Sequence, residues 1–267
     1  MLGTPEYAAE FLGTSILVLV GLSAVTFDFA RGAPGPSLVA DESVRRLLTG
    51  MIFAGTAAAV VYSPLGRRSG GHLNPAVTLA FFRLDKITRR SAATYVAVQI
   101  AGAVTGAALV RLLWGRLALS VHVGVTAPGH GGALAAFPLE VVMTFVLVSL
   151  ILNFVDRPRL MPFTPIAASG LVAFFVLVAA PISGTSLNPA RSVGPALVSG
   201  DYSWLWFYLI APPLGAFIAS VVFARARGRP KCGKLWHAKT QPCNFLDCKY
   251  SPPRERVTTD EAREGAA

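Results

Sequence analysis

Charge is what this chain has least of. Only 14% of its 267 residues are Asp, Glu, Lys or Arg. A soluble chain carries roughly a quarter, so the polar surface that keeps a globule in water is missing. Histidine is limited to four positions and cysteine to three, and no catalytic dyad is visible, so no covalent chemistry is expected. The three cysteines all fall after residue 231, which leaves the apolar part of the chain without a thiol. Basic residues are absent from Met1 to Glu10. A cleavable signal peptide needs them, so the first apolar run reads as a span.

What fills the chain instead is apolar sequence: 53% of it is hydrophobic. Runs of about 20 residues are long enough to cross a bilayer. Six are present, roughly 6–27, 44–64, 91–113, 137–155, 165–181 and 202–223, the fifth being short. The formal net charge of +10 is distributed by topology. Arg67, Arg68, Arg83, Lys86, Arg89 and Arg90 lie between spans two and three, Arg157 and Arg159 between four and five, and Arg225, Arg227, Arg229 and Lys231 after six. By the positive-inside rule those loops and both termini are cytoplasmic. The expected setting is the cell (plasma or inner) membrane, crossed several times. Lipid headgroups, not nucleic acid, are the expected partners of the positive charge.

Inside this apolar frame Ser-Gly-x-x-Leu-Asn-Pro-Ala occurs twice, at 69–76 and 183–190. Other landmarks repeat in the same order: Glu10 with Glu140, Asn74 with Asn188, and Gly102 with Gly215, at offsets of 130, 114 and 113 residues. They define a duplicated unit, repeat one over about 6–113 and repeat two over about 137–225. Each unit has three spans, an odd number, so the second sits upside down relative to the first. Inverted repeats place their functional site at the midplane between halves. The segments after the motifs, Ala76 to Phe82 and Ala190 to Val198, are too short to cross alone. They read as re-entrant half-helices capped by Asn, with Pro in the first turn. Asn74 and Asn188 then meet near the bilayer centre. The positive ends of both half-helices point at them, which refuses cations and protons while neutral hydrogen-bonding solutes pass.

These motifs resemble those of the aquaporin family, the major intrinsic proteins, over roughly residues 6–225. The run Ala190-Arg191-Ser192-Val193-Gly194-Pro195-Ala196 adds to the likeness. The resemblance implies an all-α membrane protein, an aquaporin-like right-handed bundle of six transmembrane helices plus two re-entrant half-helices. It also implies a homotetramer with one pore per subunit. Asn74 and Asn188 resemble the pore asparagines, Arg191 the arginine of the outer constriction, and Glu10 and Glu140 the buried glutamates that hold the pore loops. Thr185 and Val176 match further constriction positions, and the second-helix position falls on Phe53 or Ala54. With Phe53 the opening is water-sized and partly apolar; with Ala54 it is wider and admits glycerol, urea or uncharged metalloid acids. Val176 stands where water-selective members typically have His, and Ser192 where glycerol facilitators typically have Asp. Ser192, Ala196 and Tyr208 lean toward the water-type pattern, Leu209 toward the other. His72 matches a common family residue, read as a hydrogen-bonded loop histidine, with a pH gate as the alternative.

Residues 228–267 are a different kind of sequence from the channel region, 1–227. Their charges and prolines suggest a cytoplasmic tail, largely disordered. It holds Cys232, His237, Cys243 and Cys248, spaced Cys-x4-His-x5-Cys-x4-Cys. Three thiols and an imidazole would close a tetrahedral zinc site; unpaired or lipidated thiols are the alternative. Zinc in the tail aside, no cofactor is expected. The whole chain reads as a passive channel for water or small uncharged solutes and not as an enzyme. A facilitator for glycerol, urea or metalloid acids with little water selectivity is one alternative. A secondary transporter, or a metal or redox sensor built on the tail, is the other.

Overall fold

The structure is a computed structural model that describes residues 2–237 and 243–251. Six of its helices are long and apolar enough to span a membrane. With the two half-helices in chain order these are α1 (Thr4–Phe29), α2 (Glu42–Tyr62), the half-helix α3 (Pro75–Arg83), α4 (Arg89–Trp114), α5 (Gly132–Asp156), α6 (Thr164–Ser183), the half-helix α7 (Pro189–Ser199) and α8 (Leu205–Arg227). Local sequence sets their starts. Asp41 caps α2 by accepting from Val44 N at 3.0 Å, and Thr88 caps α4 by accepting from Ser91 N at 3.2 Å, as short oxygen-bearing side chains do at helix N-termini. The short fifth run is extended at both ends, since Thr164, Ser183 and the residues beside them continue the helix.

Packing repeats between the halves. α1 lies on α4 and α2, and α5 lies on α8 and α6, while α2 and α6 pair across the two units. Glycine makes the closest approaches possible. A Cβ on Gly102 would collide with the Phe11 carbonyl oxygen, and one on Gly215 with that of Val141. Phe11 and Val141 each follow one of the paired glutamates, so the two contacts are copies. Each half-helix is inserted into the other repeat, α3 against α8 and α7 against α4. Large apolar side chains such as Leu112, Phe174 and Ile210 stay exposed on the outer faces. In lipid such a face needs no cover, whereas in water it would drive association.

One expectation is corrected. The described tail, 228–237 and 243–251, is not loose but folded over the end of the bundle from which the first motif loop enters. Cys232, Leu235, Cys243 and Phe245 join the main apolar core, with Trp236, Cys248 and Tyr250 packed on it. Backbone bonds fix the path: Leu235 N donates to Gly70 O at 3.0 Å and Leu246 N to Lys86 O at 3.0 Å. Charge and proline content conceal this because a handful of apolar side chains, seated in an existing depression, order the segment. The disorder expectation for 238–242 and 252–267 falls outside the described residues.

Candidate pore

Both motif loops turn through positive φ at matched positions. Gly70 (91°) corresponds to Gly184 (73°), Gly71 (67°) to Thr185 (47°), and Leu73 (51°) to Leu187 (55°). Glycine takes the first position without cost. Leucine and threonine in that region cost of order 1–3 kcal/mol each, and the turned leucine carbonyls show what the strain achieves. Asn188 Nδ2 donates to Leu73 O at 2.9 Å, and Asn74 Nδ2 donates to Leu187 O at 2.8 Å. Each asparagine oxygen meanwhile caps its own half-helix, from Ala76 N at 2.8 Å and from Ala190 N at 3.0 Å. An amide nitrogen carries two hydrogens, and the cross-loop bond uses one. The other is available to the lumen that both side chains border.

The glutamates hold these loops from behind. Glu10 accepts from His72 N (3.0 Å), Leu73 N (2.8 Å) and Gln99 Nε2 (2.7 Å). Glu140 accepts from Ser186 N (2.9 Å), Leu187 N (2.9 Å) and Ser183 Oγ (2.8 Å). Both are fully buried. Two residues that the sequence reading did not pair complete the frame. Tyr95 OH donates to Ser69 O, and Tyr208 OH donates to Ser183 O. They stand 113 residues apart, the offset of Gly102 and Gly215, and that coincidence is the signal that would have found them.

Toward the end of the bundle away from the tail, Arg191 is buried and its Nη1 donates to Gly124 O at 2.7 Å. Its guanidinium carbon lies over the Phe53 ring, 5.5 Å from the centroid. Phe53 reaches there because Gly21, on α1, leaves the space that a Cβ would take. Val176 faces Gly50 of α2, and Thr185 Oγ1 is 3.4 Å from Phe175 O. Arg191, Phe53, Val176 and Thr185 all border the same lumen, about 440 Å³ in volume. Ala54 borders it too, but its carbonyl faces α6, where it accepts from Ser169 Oγ at 2.6 Å. Of the two second-helix alternatives, Phe53 is the one in contact with the arginine. His72 lies on the tail side, buried, with Nδ1 3.1 Å from Thr78 Oγ1 and Nε2 2.9 Å from Gly233 O, and its ring stacks on Phe81.

Residues 4–223 match the family model described as "Major intrinsic protein". The chain belongs to the major intrinsic protein family. Among curated proteins it is 35% identical over 224 residues to "Aquaporin NIP1-1" of Arabidopsis thaliana, covering 82% of this chain and 72% of that one. It is 36% identical over 219 residues to "Glycerol uptake facilitator protein-like 6" of Lactiplantibacillus plantarum, covering 80% of this chain and 94% of that one. The solved aquaglyceroporin of Plasmodium falciparum shares the fold at a TM-score of 0.66 with 22% identity, covering 82% of this chain and 94% of that one. This major intrinsic protein is thus a multi-pass membrane protein with the aquaporin fold and a passive channel for water and small neutral solutes.

Beyond the family region, the structure brings the four tail ligands together. The ligand atoms of Cys232, His237, Cys243 and Cys248 all lie within 4.8 Å of one another. Burial pushes the Cys232 thiol well above its ordinary range, and the neighbouring Cys243 and Cys248 thiols push it further. The Cys248 thiol is shifted the opposite way, pulled below its ordinary range by hydrogen bonds from Cys232 and Cys243, so the cluster favours one thiolate among its three sulfurs.

Proposed function

We propose that solutes move single file past Arg191 and Phe53, then past the Asn74 and Asn188 amides, and that the selectivity of this channel is set at the first of these points. The observation that carries the reading is the reciprocal asparagine pair, each amide held by the carbonyl of the opposite loop and bordering one lumen with the arginine. A solute shedding water there meets N–H donors, the positive ends of two half-helices and a guanidinium. Cations are therefore refused and neutral acceptors are not. The carboxyl oxygens of Glu10 and Glu140 are occupied by loop N–H groups, which leaves a coupled-transport mechanism without an ion-binding group at the midplane. The chain acts without covalent chemistry.

Phe53 over Arg191 makes one wall of the constriction flat and apolar, which favours water as the main permeant. A second reading, a glycerol-type facilitator, is favoured by Val176: its small apolar side chain stands beside the lumen where a bulkier donor would narrow it. The printed name of the Lactiplantibacillus relative fits that reading. The channel assembles as a homotetramer with a pore in each subunit, and both termini face the cytoplasm of the cell membrane in which it sits. Stopped-flow light scattering on proteoliposomes, with sucrose, glycerol and urea gradients in turn, tests this. Water flux above that of empty liposomes with little glycerol entry supports the first reading, and fast glycerol entry the second. Neither flux, in protein stripped of metal as well as in protein as purified, refutes the channel.

A further inference from the structure

The tail cluster has the composition, burial and spacing of a metal site. Cys232 Sγ lies 3.7 Å from Cys243 Sγ and 3.2 Å from Cys248 Sγ. A tetrahedron with metal–sulfur bonds of about 2.3 Å has edges of about 3.8 Å, so a small inward or outward adjustment of the thiols would seat one ion. His237 supplies the independent observation. It is 3% exposed, and neither ring nitrogen has a hydrogen-bond partner among the described residues. A buried imidazole with no partner is costly, and a ligated one is not. A disulfide would use two of the three thiols and leave both the third and the imidazole unsatisfied, and thiols stay reduced in a cytoplasm. Three sulfurs and one nitrogen are a donor set for zinc rather than for calcium or magnesium.

The ordered tail does more than enclose an ion. His72 Nε2, at the base of the first pore loop, pairs with Gly233 O, and Lys234 Nζ donates to Arg67 O at 2.6 Å. Leu235, between these contacts and His237, borders the lumen at its inner end. Lys86 Nζ donates to Asp247 O at 2.9 Å, and Tyr250 OH to Val155 O at 2.8 Å. The tail is therefore tied to the first pore loop, to the loop after α3 and to the end of α5, three different sides of one opening.

We propose that Cys232, His237, Cys243 and Cys248 bind one zinc ion, and that this ion holds the tail as a plug with Leu235 across the inner mouth, so that the metal-loaded channel conducts less than the metal-free one. The site is independent of the channel reading; the plug rests on it. All four ligands fall within residues 232–248, so the ion adds a cross-link to a segment already seated by its apolar side chains. Loss of the ion removes that cross-link and lets Leu235 move out of the mouth.

The test uses the full-length protein, purified without chelator and reconstituted into liposomes. Elemental analysis is expected to give about one zinc per chain, and a Cys232→Ser/Cys243→Ser double variant close to none. Cobalt in place of zinc is expected to give the strong visible bands of a tetrahedral thiolate site. Water permeability is expected to rise several-fold when zinc is stripped and to fall when it is restored. Leu235→Ala, which keeps all four ligands, is expected to retain zinc and to conduct at the raised level in both states. Zinc well below one per chain after loading, or a disulfide among the three cysteines of protein kept reduced, overturns the site. Full zinc occupancy with permeability unchanged by stripping overturns the plug. A channel that conducts in no state, Leu235→Ala included, refutes the channel reading, while the zinc content still decides the site.

Discussion

Replacing Glu10 by alanine tests whether the buried glutamates hold the pore loops. The substitution removes both oxygens that accept from His72 N and Leu73 N, and also the partner of Gln99 Nε2. A buried donor left without an acceptor costs about 1–3 kcal/mol, so two orphaned backbone N–H groups set a range of about 2–6 kcal/mol. Side-chain hydrogen bonds in membrane proteins average nearer 0.6 kcal/mol, because the chain finds other partners in the bilayer. Here the loop has little freedom to find them, since the Leu73 carbonyl is already held by Asn188. The expectation is therefore a loss of about 2 kcal/mol, the low end of the range for two orphaned donors. Glu10→Gln keeps one oxygen but turns an NH2 toward the other donor, and should lose about half as much. Glu140→Ala should match Glu10→Ala, because it also orphans two loop N–H groups. The assay is reversible unfolding by SDS titration in mixed micelles, with water permeability per reconstituted chain alongside. Glu10→Ala indistinguishable from the parent in both measurements would refute the role given to the glutamates.

Three further outcomes follow from the same geometry. Phe53→Ala removes the ring over the guanidinium, so glycerol permeability should rise several-fold in stopped-flow measurements while water flux is maintained. Unchanged glycerol entry would shift the constriction role to Ala54. Arg191→Val removes the buried cation, and proton leak into liposomes carrying a pH-sensitive dye should rise by about tenfold, a barrier loss of about 1.4 kcal/mol; no rise would place the whole proton barrier at the asparagines. Gly102→Ala and Gly215→Ala each force a methyl against a helix backbone carbonyl. Each should destabilise by about 1–3 kcal/mol, by similar amounts, in the same SDS titration.

The spans, the repeat and the loop anchors are legible in the sequence because each rests on a local rule. Apolar length gives the spans, Asn-Pro gives the half-helix starts, and equal offsets give the pairs. Phe53 against Ala54 is not settled by counting, because adjacent helical residues point about 100° apart and only the space left by Gly21 shows which one meets Arg191. Tyr95 and Tyr208 are hidden for a different reason: an aromatic in an apolar run looks like packing until the carbonyl it donates to is located. The tail is where composition misleads most. Polar and charged residues there outnumber Leu235, Trp236, Phe245 and Tyr250, yet those few settle into a mouth that the bundle has already built.

Departures from the repeat show where this channel differs from a symmetric tube. The pair Ser186 and Ser192, Oγ atoms 2.6 Å apart, occupies the positions of His72 and Thr78, 3.1 Å apart, since both are offset by 114 residues. Each pair then reaches to a segment that has no copy in the other repeat. Ser192 Oγ is 2.7 Å from Thr126 Oγ1, in the loop between the repeats, and His72 Nε2 bonds Gly233 O in the tail. Arg191 reaches the same inter-repeat loop at Gly124 O, and its repeat counterpart is Val77. The duplicated unit thus builds the centre, where two asparagines act alike, and unpaired segments finish the two ends differently. At one end the added segment positions a fixed cation, which in the proposed function selects by charge and needs no moving part. At the other end the added segment brings Leu235 to the lumen, and a cover of the kind proposed can be lifted.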